Sequence, residues 1–327
     1  MIVPQFWAEA RCHQPRAKGQ PQITVRRFGW SDISQNEAQE MATQRAEDAF
    51  KRIVSGEKLP KREPKIGYNG AQGVPIREEI LSRHNDVIVT RNAYGAHCLN
   101  TPDVLFADLD FKTHSSSSLN FGIILMLLAG AVTAGYLAHS RVVGGISFLL
   151  VLLLAAMISK IVTRISGEFR ADQEAIVRQK IDQVLKSYSS WRVRLYRTPA
   201  GFRLLAMHRL FKPDEPEVSE FFKALEADPV YVQMCKNQHC FRARVSPKPW
   251  RIGIKDHIRP RPGVWPVNAA NLDTRNKWIR AYEAASAGFA SCRFVETYGN
   301  SAVHSKAAAV CELHDRLSQA LSGRDIA

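Results

Sequence analysis

The residues best suited to chemistry form one short run, Phe106-Ala107-Asp108-Leu109-Asp110-Phe111. A strand repeats every two residues, so Asp108 and Asp110 project from the same face, about 7 Å apart. Two carboxylates placed in this way can hold a divalent cation against phosphate oxygens. The same pattern also arises as a pair of solvated acids at a strand end. At most a Mg2+ or Mn2+ ion follows from it. No other cofactor has a motif here: Walker A, GxGxxG, HExxH and GxSxG patterns do not occur.

Arginines supply the opposite charge. Arg192 and Arg194 alternate with Val193 and Leu195, and Arg242 and Arg244 alternate with Phe241, Ala243 and Val245. The alternation predicts two half-buried strands, each presenting an arginine row. A guanidinium donates two parallel hydrogen bonds to a phosphate. Trp191, Tyr196, Phe202, Trp250 and Trp265 offer stacking faces among these cations. Candidate phosphate ligands are Arg197, Arg203, Arg242, Arg244, Lys248 and Arg251, with nucleotide or nucleic acid as the partner. Two plainer readings stand beside this one. The cations could be drawn to anionic lipid headgroups, or Arg242 and Arg244 could pair internal acids.

Cysteine adds little. The six residues Cys12, Cys98, Cys235, Cys240, Cys292 and Cys311 lack the spacing of a zinc site. His304, Cys311 and His314 fall along one helix and read as packing or surface residues.

The elements that position these groups are of mixed type. Gln22–Trp30 reads as a strand. A helix then starts near Ser34, with Glu37 completing a capping box and Met41, Ala42, Ala49, Phe50 and Ile53 on one side. Ile76–Arg83 reads as a short helix, and Val87–Thr90 and Val104–Phe111 as strands. Trp191–Arg197 and Phe202–His208 form a hairpin across Thr198-Pro199-Ala200-Gly201. Helices at Val218–Ala227 and Val230–Lys236 and a strand at Phe241–Val245 follow. The last section holds helices near Asp273–Ala290 and Ser305–Leu321 around a strand at Cys292–Thr297. Arg91, Gly95 and His97 recur at the offsets of Arg197, Gly201 and Arg203, which suggests a repeated hairpin.

Averages conceal the longest-range feature. The chain has 327 residues and a net charge of +14, and its mean hydropathy is −0.21. These values exclude a disordered or low-complexity protein and resemble those of a basic, water-soluble enzyme. Yet no acid occurs between Leu119 and Val162, where Phe121–Ala138 and Val142–Ile158 are almost wholly apolar. Each run, with its flanks, approaches the roughly 20 residues of a membrane-spanning helix. Lys112 precedes the first run, Lys160, Arg164 and Arg170 follow or close the second, and only Arg141 lies in the turn. Cationic flanks stay on the cytoplasmic side, so both termini are expected there. The charge is uneven: 16 basic and 14 acidic residues lie in 1–118, against 27 and 17 in 163–327.

Over most of its length the chain resembles a bacterial family of two-span transmembrane proteins. The resemblance lies in Val25-Arg-Arg-Phe-Gly-Trp-Ser-Asp32, Arg91–Phe111, Tyr196–Leu205 and Cys240–Arg251. It implies the bacterial inner (plasma) membrane but no particular activity. Phe106–Asp110 is also similar to the metal-binding strand of archaeo-eukaryotic primases and primase-polymerases. Tyr196–Arg203 resembles their Gly turn, which leads to a phosphate-contacting histidine. That resemblance implies Asp108 and Asp110 as metal ligands. Arg203 or Leu204 occupies the histidine position and His208, a few residues on, becomes a further phosphate candidate, with Asp256 as the candidate third acid.

The expectation is an α+β protein. Residues 1–118 and 163–327 would make one cytoplasmic domain, interrupted by a transmembrane hairpin at 119–162. Its function is expected to be membrane-anchored binding or scaffolding, or else metal-dependent chemistry on a nucleotide or nucleic acid. The partners are the bilayer itself, anionic headgroups and a phosphate ligand.

Overall fold

A computed structural model describes residues 3–17, 22–63, 74–111, 133, 136, 142, 173–261 and 265–327. The expected hairpin at 119–162 lies, apart from residues 133, 136 and 142, outside the described residues. Among the described residues no helix is long and apolar enough to cross a membrane.

The fold is α+β, with antiparallel sheets. Strands β1 (Phe6–Gln14) and β2 (Ile23–Ser31) pair from Phe6–Ser31 to Gln14–Ile23. Helix α1 (Gln35–Val54) lies directly on them. Ser34 caps it by accepting from the Glu37 N–H at 3.2 Å, but the Glu37 carboxylate turns instead to the Ser31 hydroxyl, 2.7 Å away. Its buried face is Ala38, Ala42, Ala46 and Ala49, whereas Met41 is exposed. Small side chains let the helix backbone approach the sheet. A Cβ on Gly29 would stand 2.1 Å from the Ala38 carbonyl oxygen, so no larger residue fits there.

Two four-stranded sheets follow. One has the order β3 (Glu79–His84), β4 (Val87–Arg91), β5 (His97–Thr101), β9 (Phe241–Arg244). The other has the order β10 (Arg293–Tyr298), β7 (Val193–Thr198), β8 (Gly201–Ala206), β6 (Phe106–Asp110). Segment Ile76–Arg83, expected as a helix, enters β3 instead. Its chain turns back through His84-Asn85-Asp86-Val87, with Asn85 at φ 56°, and a tight hairpin outweighs the local helical pattern.

Among the described residues after β8 lie four α-helices, α2 (Pro216–Ala224), α3 (Pro229–Gln238), α4 (Leu272–Ser286) and α5 (Ser305–Ser318). Trp191 packs against Phe211 and Phe221, with tilted rings whose centroids lie 4.5–5.0 Å apart, in one aromatic core at α2. Tyr196, Phe106 and His314 form another beneath α5.

The chain divides into two compact units. Met1–Asp110 and Val184–Ala327 form the first, and Phe111–Gln183 the second. Neither half of the first unit could complete the four-stranded sheets alone. Strand β5 pairs with β9, and β6 pairs with β8, so each four-stranded sheet joins residues from both ends of the sequence. In the second unit, residues 173–183 are helical, with a Glu174–Arg178 ion pair at 3.0 Å.

Candidate anion-binding cleft

Where the two four-stranded sheets meet, a cavity of about 460 Å³ opens. Strand β6 contributes Asp108 and Asp110, β8 contributes Phe202 and Arg203, and β9 contributes Arg242 and Arg244. The turn after β4 adds Tyr94, helix α3 adds Tyr231 and Met234, and the segment after β9 adds Lys248 and Arg251. Seven of the nine residues expected at a site therefore share one wall or another of a single cleft. Arg197 and His208 do not line it. Arg197 stands opposite Arg293 in the pairing of β7 with β10. His208 packs 4.8 Å from the Trp191 ring and its Nδ1 accepts the Arg192 N–H at 3.3 Å. Burial holds its imidazole below the usual value. Asp256, the candidate third acid, also lies outside; its carbonyl accepts the Trp278 indole N–H at 2.9 Å.

The two arginine rows have separate fates. In the first, Arg194 pairs with Asp315 at 2.7 Å and Arg192 donates to the Ser301 carbonyl at 3.0 Å. Trp191 and Tyr196 are buried core residues and give no open stacking face. In the second row, Arg242 is buried and donates to Glu78 at 2.7 Å. Burial opposes its charge, yet Cys98 and Glu78 hold its pKa well above the usual value. Arg244 donates to the Ser246 carbonyl at 3.0 Å and has no carboxylate partner among the described residues.

The two aspartates differ as sharply. Asp108 faces Arg203 across the β6–β8 ladder. Arg203 Nε and Nη2 donate to its two oxygens at 2.7 and 3.0 Å, while Nη1 reaches the Arg244 carbonyl at 2.8 Å. Burial works against the Arg203 cation, but the Asp108 charge overcomes it and raises its pKa. Both Asp108 oxygens are thus engaged by a guanidinium. Asp110, two residues along, has no such partner and sits exposed at the strand end. Partial burial raises its pKa, and the negative charges of Asp228 and Asp108 add to the rise against the pull of Lys248 and Arg251. Among the described residues no group of three or more His, Cys, Asp or Glu side chains is arranged to hold a metal ion.

Asp228 lines the cleft without having been expected there from sequence. Its side chain caps α3 by accepting the Val230 N–H at 2.9 Å, ahead of Pro229 at the first helical position. Its own N–H donates to the Asp108 carbonyl at 2.9 Å, which brings it beside the aspartate strand. The Asp-Pro start of a helix is visible in sequence; its docking against β6 is not. Tyr94 was missed for the same reason. It lines the cleft, and its ring meets Trp250 edge-on at 5.3 Å.

Lys248 and Arg251 crowd Arg244 on the remaining wall. Burial lowers the pKa of both, and Arg244 lowers each further, with Arg251 also acting on Lys248. Arg251 Nη1 is buried without a hydrogen-bond partner. Three cations held close together, one with an unused donor, form an environment that an incoming anion would relieve.

Comparison with protein families, with characterised proteins and with solved structures finds no match to this chain.

Proposed function

We propose that the chain is a membrane-anchored binding protein of the bacterial inner membrane, with both termini cytoplasmic, and that its cleft holds a phosphate-bearing ligand. The observation that carries the ligand is the trio Arg244, Lys248 and Arg251. It lines one cavity wall with no ion pair to a carboxylate among the described residues. Arg242 and Arg203, by contrast, are already neutralised by Glu78 and Asp108. The anchoring rests on the two acid-free apolar runs in 119–162. An alkaline wash of membranes should leave the chain in the pellet, and its release would remove the anchor.

Calorimetric titration of the detergent-solubilised chain with ethyl phosphate tests the cleft. Binding should weaken about tenfold or more in Arg251→Ala and in Lys248→Ala, and should fall steeply with salt. Absence of binding, or wild-type affinity in both variants, would overturn the reading.

A second reading, metal-dependent chemistry on a nucleotide, draws support from Asp108 and Asp110 sharing the same cavity. It requires Asp108 to leave Arg203. Mn2+-dependent nucleotide binding that is lost in Asp108→Asn would favour it, and metal-independent binding would end it.

A further inference from the structure

The cleft brings together groups of opposite charge that form no ion pair across it among the described residues. On one side stand Arg244, Lys248 and Arg251. On the other stand Asp110 and Asp228, joined by an Asp108 whose charge Arg203 has already taken. The two sides are near enough for Asp110 to feel both Lys248 and Arg251. They nevertheless form no ion pair with each other among the described residues. Each side therefore repels itself and lacks a direct ion pair with its opposite. Such an arrangement costs stability in the empty protein, and it is relieved by a ligand that carries both charges.

Resting on the phosphate reading above, we propose that the cleft selects a zwitterionic aminoalkyl phosphate. Its phosphate lies on Arg244, Lys248 and Arg251, and its ammonium donates to Asp110 and Asp228. The ammonium takes the place that a divalent cation would fill if Asp108 were free. An ammonium has three donors, which suits two carboxylates that offer acceptors without an enclosing shell of ligands. Both charged walls line one cavity of about 460 Å³, so the spacer must be short enough to lie within it. The same chemistry is carried by soluble phosphoethanolamine and by the headgroup of an ethanolamine phospholipid.

The test compares O-phosphoethanolamine with ethyl phosphate, which lacks the amine, on the detergent-solubilised full chain. The aminated ligand should bind about tenfold more tightly, a difference of about 1.4 kcal/mol. Asp110→Asn and Asp228→Asn, the second of which keeps an α3 cap, should bring the ratio towards one. Ethyl phosphate binding no weaker than that of the wild type would show that the fold and the cationic wall are intact. Dihexanoyl phosphatidylethanolamine assigns the source: tighter binding than O-phosphoethanolamine identifies a lipid headgroup, weaker binding a soluble ligand. Equal affinity for ethyl phosphate and O-phosphoethanolamine in the wild type would overturn this inference and leave the phosphate reading standing. Failure of both to bind would overturn that reading as well.

Discussion

Asp108 and Arg203 stand directly opposite one another on β6 and β8 and share two hydrogen bonds, at 2.7 and 3.0 Å. Strands from the two ends of the chain are thereby joined by a charged pair at the floor of the cleft. Arg203 is only 2% exposed, so its cation depends on that partner.

Removing the partner should be costly. Asp108→Asn is expected to destabilise the first unit by about 3 kcal/mol, since a buried guanidinium loses its counter-charge. The double variant Asp108→Asn/Arg203→Met should recover much of the loss. Urea denaturation of Asp108→Asn, Arg203→Met and the double variant checks this, and additive losses would contradict the coupling.

The two arginines of β9 should separate stability from binding. Arg242→Met strands the Glu78 carboxylate, which is mostly buried, and is expected to cost about 3 kcal/mol. Arg244→Met removes a cation with no acidic partner and should leave the unfolding midpoint nearly unchanged. Ethyl phosphate affinity should nevertheless fall about tenfold in Arg244→Met. Denaturation and calorimetry on the same preparations give both readouts.

Gly201 should resist enlargement. A Cβ there would lie 1.9 Å from the Leu109 carbonyl oxygen, and β8 would have to move off β6. Gly201→Ala is expected to cost about 1–3 kcal/mol through overpacking. Because Gly201 pairs with Asp110, ligand affinity should drop alongside the unfolding midpoint.

His314 gives the first unit a dependence on pH. It is fully buried, its Nδ1 lies 3.1 Å from Asp315 Oδ1 and its Nε2 3.9 Å from Cys292 Sγ. Burial lowers its pKa and Arg203 opposes its charge, but Cys292 and Asp315 outweigh them and leave it above the usual 6.5. A raised value means that the proton is bound more tightly in the folded state. The resulting stability is complete below 6.5 and is lost as the pH rises through the folded value. Urea midpoints should fall on the alkaline side of that value in the wild type and run flatter in His314→Gln.

Much of this arrangement was readable from residue order. Alternation placed Arg242 and Arg244 on one face correctly, and the Thr198-Pro199-Ala200-Gly201 turn joins β7 to β8 as expected. The echo between Arg91–His97 and Arg197–Arg203 corresponds to two real hairpins. Their glycines serve different ends, however. Gly95 adopts φ 98° against the Trp278 ring, whereas Gly201 admits the backbone of β6. What escaped depends on distant partners. The face shared by Arg242 and Arg244 could not reveal that Glu78 satisfies only the first, because Glu78 arrives from a segment with helical periodicity. Strands β1 and β5 were missed as well, since β5 (His97–Thr101) is short and owes its form to neighbours on both sides.

The pairing of β6 with β8 also sets an order of events at the ribosome. When β5 and β6 emerge, their eventual partners β9 and β8 have yet to be made, and residues 111–183 are synthesised in between. The early strands must wait with open edges, a state prone to mispairing. The floor of the cleft can therefore form only after β8 has been made. A nascent chain truncated before Gly201 would carry Asp108 and Asp110 but lack the β8 strand that pairs with theirs.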